Sequence, residues 1–93
     1  MKTKERTYAI TRNFTMLGNY LQRQRRAAGF TQREVSNALG YSSAQFISNF
    51  ERGIAAPPAK KLKTLINLYG LKRPEVIARL VRGYKEELSA ALR

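Results

Sequence analysis

Residues 30–53, FTQREVSNALGYSSAQFISNFERG, contain two short helical patterns separated by a glycine turn. Thr31 and Glu34 have the spacing of a capping box, so the first helix is predicted to begin at Thr31. Gly40 can adopt the left-handed conformation that ends a helix, which predicts an end near Leu39. The apolar residues at helical spacing, which predict one buried stripe, are Val35, Ala38 and Leu39.

The second helix of this stretch has one polar side. Ser42 and Gln45 have the spacing of a second capping box, and Gly53 predicts an end after about three turns. Ile47 and Phe50 can face inward. The residues predicted on the outward face are Ala44, Gln45, Ser48, Asn49 and Arg52. Amides pair with adenine, a guanidinium pairs with guanine, and small side chains accept a thymine methyl group, so this helix is suited to the major groove of DNA.

Residues 17–71 resemble the Cro/repressor-type helix-turn-helix domain of phage and bacterial regulators, the XRE-like family. The positions that carry the resemblance are Leu17, Leu21, Arg25, Gly29, Thr31, Gln32, Glu34, Leu39, Gly40, Ile47, Ser48, Glu51, Arg52, Gly53, Pro57, Leu62, Leu65, Tyr69, Gly70 and Leu71. The resemblance implies an all-α, lambda-repressor-like fold of five helices, with a helix-turn-helix and an extended C-terminal helix.

The resemblance also implies roles for single residues. Gln32 matches a position that holds a phosphate and braces the second helix of the motif, hereafter the reading helix. Ser43 matches a phosphate contact at the turn, with Ser42 as the alternative cap and contact. Arg25 and Glu51 match a partly buried ion pair that ties the first helix to the end of the reading helix. The positions that match the base-reading face are Ala44, Gln45, Ser48 and Asn49.

Two features depart from the family pattern. The chain has one residue more between Gly40 and Ile47 than the shortest members, so the register of the reading face can shift by one. The loop 54–56 is apolar where relatives often carry lysines, so the charge that meets phosphates must lie elsewhere. The candidates are Arg33, Arg52, Lys60 and Lys61.

Composition favours a polyanionic partner. The chain has 18 Lys and Arg against 6 Asp and Glu, for a formal net charge of +12. This charge is spread over all segments rather than along one amphipathic stripe, which argues against membrane binding. We expect one cytoplasmic domain, since the 93 residues contain neither a membrane-spanning run nor a signal peptide. The resemblance to the repressor family implies a nucleoid-associated protein of bacterial or phage origin.

The residue types that most enzymes need are missing. The sequence contains no Cys, no His and no Asp, which excludes disulfides, thiolate metal sites and the usual general bases and triads. We therefore expect no enzymatic activity, no cofactor and no metal.

Two further helices complete the predicted domain. Residues 14–28 are predicted to form a helix that packs behind the reading helix, and Pro57-Pro58 predict the start of a fourth helix that Gly70 ends. Tyr20 and Phe30 are interpreted as packing aromatics. The predicted inward residues of these two helices are Leu17, Leu21 and Ala28 in the first, and Leu62, Leu65, Ile66 and Tyr69 in the fourth.

Residues 74–93 predict a long C-terminal helix with two apolar stripes. Val76 and Leu80 can return to the core. The second stripe repeats with steps of four and three, the spacing of paired helices. It predicts homodimerisation through Ile77, Val81, Tyr84 and Leu88. The alternative is that the whole helix covers its own core.

Residues 1–13 form a basic segment that precedes the domain of residues 14–73 and the C-terminal helix of residues 74–93. Three interpretations remain open for it: a disordered tail, a short strand exchanged between subunits, or an arm that contacts DNA.

These features predict a sequence-specific regulator of transcription that binds double-stranded DNA, most simply a homodimeric repressor on a palindromic operator. Its half-sites would lie about 34 Å apart. The alternatives are an antitoxin-type regulator that also binds a partner protein, a protein-interaction adaptor, and an RNA or nucleoid binder held mainly by charge. The last two classes predict weak discrimination among sequences.

Overall fold

The computed structural model describes residues 12–93, which form five α-helices and no strand. The helices are α1 (Thr15–Ala27), α2 (Gln32–Ala38), α3 (Gln45–Glu51), α4 (Ala59–Tyr69) and α5 (Arg73–Ala91). This architecture confirms the all-α fold with a long C-terminal helix. The interpretations of residues 1–13 concern a segment that lies outside the described residues, apart from Arg12 and Asn13.

One hydrophobic core joins the helices. Helix α1 packs against both α3 and α5, and α2 packs against α3. α1 therefore connects the reading helix, α3, to the C-terminal helix. The buried core residues are Leu17, Tyr20, Leu21, Val35, Leu39, Ile47, Phe50, Leu62, Leu65 and Val76.

The predicted capping box at the start of α2 is present. The Glu34 N–H donates to Oγ1 of Thr31 at 3.1 Å, and the Thr31 N–H donates to Oε1 of Glu34 at 2.8 Å. The two bonds satisfy amides that the first helical turn leaves without partners. Gly40, with φ of +79°, then turns the chain after α2 towards the reading helix.

The prediction of an inward position is wrong for two residues. Ala38 in α2 and Ala28 after α1 are both exposed. In α2 the buried residue is Ser36 instead. Its hydroxyl donates to the carbonyl oxygen of Arg33 at 2.9 Å, so the buried hydroxyl keeps a hydrogen-bond partner. In α1 the buried stripe continues from Leu21 to Arg25, because α3 presents a carboxylate to that side of α1.

Two further features bear on the class of protein. None of the helices in residues 12–93 has both the length and the apolar composition needed to cross a membrane. Within the same residues, no three His, Cys, Asp or Glu side chains gather into a group that could hold a metal ion.

Candidate nucleic-acid interface

The reading helix begins after a turn that Ser43 closes. The N–H of Gln45 donates to Oγ of Ser43 at 3.0 Å. The predicted capping box between Ser42 and Gln45 is wrong, because Ala44 holds the N-cap position without a side-chain hydrogen bond. The helix is also shorter than predicted, with seven residues that end at Glu51. Ser43 satisfies the first amide locally, which leaves the Gln45 side chain free to extend along the helix.

The exposed side of α3 carries a connected row of polar side chains. Nε2 of Gln45 donates to Oδ1 of Asn49 at 2.9 Å, and Nη2 of Arg52 donates to the same oxygen at 2.9 Å. Gln45 and Arg52 are exposed, and Asn49 is half-buried. We call these three residues the polar row. Because each side chain is held by its neighbour, the remaining donors and acceptors of the row are already oriented outward.

The register of the helix agrees with the predicted reading face. Ile47 and Phe50 are buried, with 2% and 5% of their surfaces exposed, so they anchor the opposite side of α3 in the core. Ala44 and Ser48 are half-buried and flank the polar row. The sequence thus predicted which side of α3 packs into the core.

A buried ion pair holds the end of α3 against α1. Nε of Arg25 lies 2.6 Å from Oε2 of Glu51, and Nη2 donates to Oε1 at 3.1 Å. Nη1 of Arg25 also donates to the carbonyl oxygen of Phe30 at 2.8 Å. Nε2 of Gln32 adds a fourth bond, to Oε1 of Glu51 at 2.9 Å. The cluster therefore joins the ends of α1 and α3 to the first turn of α2, and its Gln32 amide braces the reading helix.

The surroundings of this cluster favour the charged form of Arg25. The hydrogen bonds that Arg25 donates to Glu51 raise the pKa of Arg25, and the charge of Glu51 acts in the same direction against the opposing effect of burial. Burial raises the pKa of neighbouring Tyr69, so its phenol stays neutral beside the pair. The Arg25 guanidinium therefore keeps its charge in this cluster, which suits a permanent structural contact.

The candidate phosphate contacts do not all lie in similar surroundings. Arg33, Ser42 and Lys60 are exposed on α2, the turn and α4. Lys61 is half-buried, and its Nζ donates to the carbonyl oxygen of Leu39 at 2.6 Å. The same ammonium lies 5.0 Å from the centre of the Tyr41 ring. Lys61 therefore braces the end of α2 from α4, whereas Lys60 is exposed and forms no ion pair with another residue of 12–93.

Sequence reasoning missed one exposed residue of the reading helix. Phe46 follows Gln45 directly, and 46% of its surface is exposed. Its ring stacks on Tyr41, with centroids 4.4 Å apart and an angle of 14° between the planes. Helix periodicity could have identified Phe46, because this aromatic residue lies outside the inward positions Ile47 and Phe50.

A second unusual surface lies on α5. Val76 is fully buried and Leu80 is half-buried, as predicted for the stripe that returns to the core. The other stripe remains open to solvent, with exposed fractions between 52% and 61%. These residues, hereafter the seam, are Ile77, Val81, Tyr84 and Leu88.

Comparison with known proteins agrees with this geometry. No curated protein and no solved structure matches the chain. A family model described as a helix-turn-helix domain matches residues 16–86, which is more than half of the chain. The match includes the motif of α2 and α3 and most of α5, and it supports DNA binding as the class of function. The protein therefore belongs to the helix-turn-helix domain family, in keeping with its resemblance to XRE-like regulators.

Proposed function

We propose that the protein is a sequence-specific regulator that binds double-stranded DNA and represses transcription as a homodimer on a palindromic operator. The setting we propose is the nucleoid of a bacterial cell, with the gene of bacterial or phage origin. The observation that carries the proposal is the polar row of α3, Gln45, Asn49 and Arg52, which is oriented by its own hydrogen bonds on an exposed helix face.

The chemistry of the row matches base edges in the major groove. Gln45 and Asn49 offer amides of the kind that pair with adenine, and Arg52 offers the donor pair that guanine accepts. The face has no free carboxylate, because the only acid of α3, Glu51, is buried with Arg25. A duplex approaching this face therefore meets donors and acceptors without repulsion from a negative charge.

Exposed basic and hydroxyl side chains on α2, the turn before α3 and α4 are the proposed phosphate contacts. We assign this role to Arg33, Lys60 and the hydroxyls of Ser42 and Ser43, which are all exposed. Lys61 is left out of this set because its ammonium is held by Leu39. Contacts of this kind position a protein on the duplex, whereas the base contacts carry the sequence preference.

The seam on α5 supports dimerisation. α5 has 19 residues and a length of about 28 Å, enough for its four apolar side chains to pair with a second copy. Exposed apolar stripes of this kind are typical of surfaces that a partner covers. α1 packs against α3 and α5 separately, so pairing through α5 leaves the reading helices free. A two-fold axis would then present two reading helices to an inverted repeat.

Selection of duplexes from a randomised library tests this function. We expect the enriched site to be an inverted repeat that the protein binds at least about 10³-fold more tightly than a scrambled duplex of equal length at physiological salt. A scrambled duplex isolates the charge contribution, because it carries the same phosphates. Equal affinity for both duplexes at every salt concentration would contradict the proposal and favour a binder held by charge alone.

A further inference from the structure

The exposed ring of Phe46 borders the polar row. Successive residues of an α-helix are about 100° apart, so Phe46 lies one such step from Gln45 and about 60° from Asn49. On its other side it approaches the buried Phe50. The ring therefore stands at one edge of the face proposed to meet the bases, on the side of the turn that precedes α3.

The ring is held in place by contacts that reach through Tyr41 to Phe50 of the same helix and to two other helices, α2 and α4. Tyr41 stacks on Phe46 and lies 6.2 Å, centroid to centroid, from the ring of Phe50. Its N–H donates to the carbonyl oxygen of Ser36 at 2.9 Å, and the ammonium of Lys61 covers its ring at 5.0 Å. These contacts already order the side chains of Phe46 and Tyr41. A ligand that binds to Phe46 therefore costs the protein little additional side-chain entropy.

One apolar group is available to such a ring in the major groove. The 5-methyl group of thymine projects from the base edge into this groove, and apolar side chains including Phe recognise it there. Glutamine pairs with adenine through the same groove, where the thymine of an A·T pair presents its methyl beside the adenine edge. A glutamine and an exposed phenylalanine in consecutive positions thus complement a site that contains both bases.

We propose that Phe46, supported by Tyr41, contacts the methyl group of a thymine in the base pair adjacent to the A·T pair read by Gln45, and so determines specificity at a second position. The inference rests on the proposed function, since it requires α3 to enter the major groove. It adds an apolar contact that the amides and guanidinium of the polar row do not provide. The half-buried Ala44 and Ser48 expose smaller side chains and cover less of such a methyl group.

Deoxyuridine tests the contact, because it differs from thymidine only by the missing methyl. Each thymine of the selected duplex is replaced in turn, and the affinities of the wild type and of Phe46→Ala are measured. We expect one replacement per half-site to weaken the wild type about fourfold, the factor for one buried methyl-sized group. The same replacement should leave the affinity of Phe46→Ala unchanged. Met16→Ala, which removes an apolar side chain of similar exposure (49%) from α1, should keep the wild-type penalty.

Phe46→Leu is a second variant, with a smaller apolar side chain that does not stack on Tyr41. We expect deoxyuridine to weaken the binding of this variant by part of the factor found for the wild type. Melting curves establish that each variant is folded before binding is compared. Equal penalties in the wild type and in both Phe46 variants would overturn the contact while the preference for the operator, and with it the proposed function, stood. A wild type that prefers no duplex would overturn the proposed function and this inference together.

Discussion

The ring of Phe14, next to the start of α1, packs directly against Gly83 in the middle of α5. A β-carbon at position 83 would collide with three atoms of that ring. The Phe14 N–H also donates to the carbonyl oxygen of Gly53 at 3.1 Å, just after α3. One residue thus contacts both the segment that follows the reading helix and the helix that carries the seam. The ring lies edge-on to Tyr84 as well, with centroids 5.1 Å apart.

Gly83→Ala should destabilise the fold despite the better helix propensity of alanine. The propensity gain is about 1 kcal/mol, whereas forcing a buried ring to move costs about 1–3 kcal/mol. We expect a net loss in the free energy of unfolding, measured by chemical denaturation. In a Phe14→Ala background the collision is absent, so Gly83→Ala should instead be neutral or stabilising. The same loss in both backgrounds would refute the steric explanation.

Glu51→Gln should strongly destabilise the protein. The substitution keeps the shape of the side chain but leaves the guanidinium of Arg25 buried without a counter-ion, at a cost of about 3–5 kcal/mol. The matched control is Glu86→Gln, which breaks the exposed pair with Arg82 on α5 and should cost less than about 0.5 kcal/mol. Similar denaturation midpoints for the two variants would show that the buried pair has no structural role.

Lys61→Met and Lys60→Met should separate a structural lysine from one proposed to contact phosphate. Loss of the bond to the carbonyl oxygen of Leu39 should cost about 1–2 kcal/mol of stability in Lys61→Met. Lys60→Met should unfold like the wild type but reduce the salt dependence of DNA binding by about one phosphate contact. Denaturation and salt titration of both variants measure this contrast, and the reverse assignment would contradict it.

Gln45→Ala should weaken binding to the selected duplex by about 1–3 kcal/mol and relax the preference at one base position. Gln45 is exposed and makes no contact with the core, so the melting temperature should change little. Arg33→Ala is the control, because loss of a phosphate contact should weaken all duplexes equally. If Gln45→Ala retained the wild-type ranking of duplexes, the polar row would not be the reading face.

Val81→Lys should convert a dimer into a monomer without unfolding it. Val81 is 58% exposed, so a charge there meets solvent in one chain but repels its equivalent across a paired seam. Sedimentation at micromolar concentration should give a mass of two chains for the wild type and one for the variant. Ser89→Lys, exposed on α5 outside the seam, should remain dimeric. A wild-type mass of one chain would contradict the proposed dimer.

Local spacing was enough to predict much of this protein. The sequence predicted the capping box of Thr31 and Glu34, the inward pair Ile47 and Phe50, and the polar side of the same helix with Gln45 and Asn49. All of these depend on residues within one or two helical turns. Helix periodicity relates neighbours up to four residues apart, so such features can be read without knowing how the helices pack. The family resemblance supplied the ion-pair partners, which lie 26 residues apart.

Features that depend on how helices cross were not predictable in this way. The bond from Lys61 to Leu39 spans 22 residues, and the collision that gives Gly83 its importance involves a ring at the other end of the described chain. The amino-acid sequence therefore specified the helices and their polar sides. The packing of α1 against α3 and α5 decided which side chains contact one another, because those contacts depend on angles and distances between helices that no periodicity encodes.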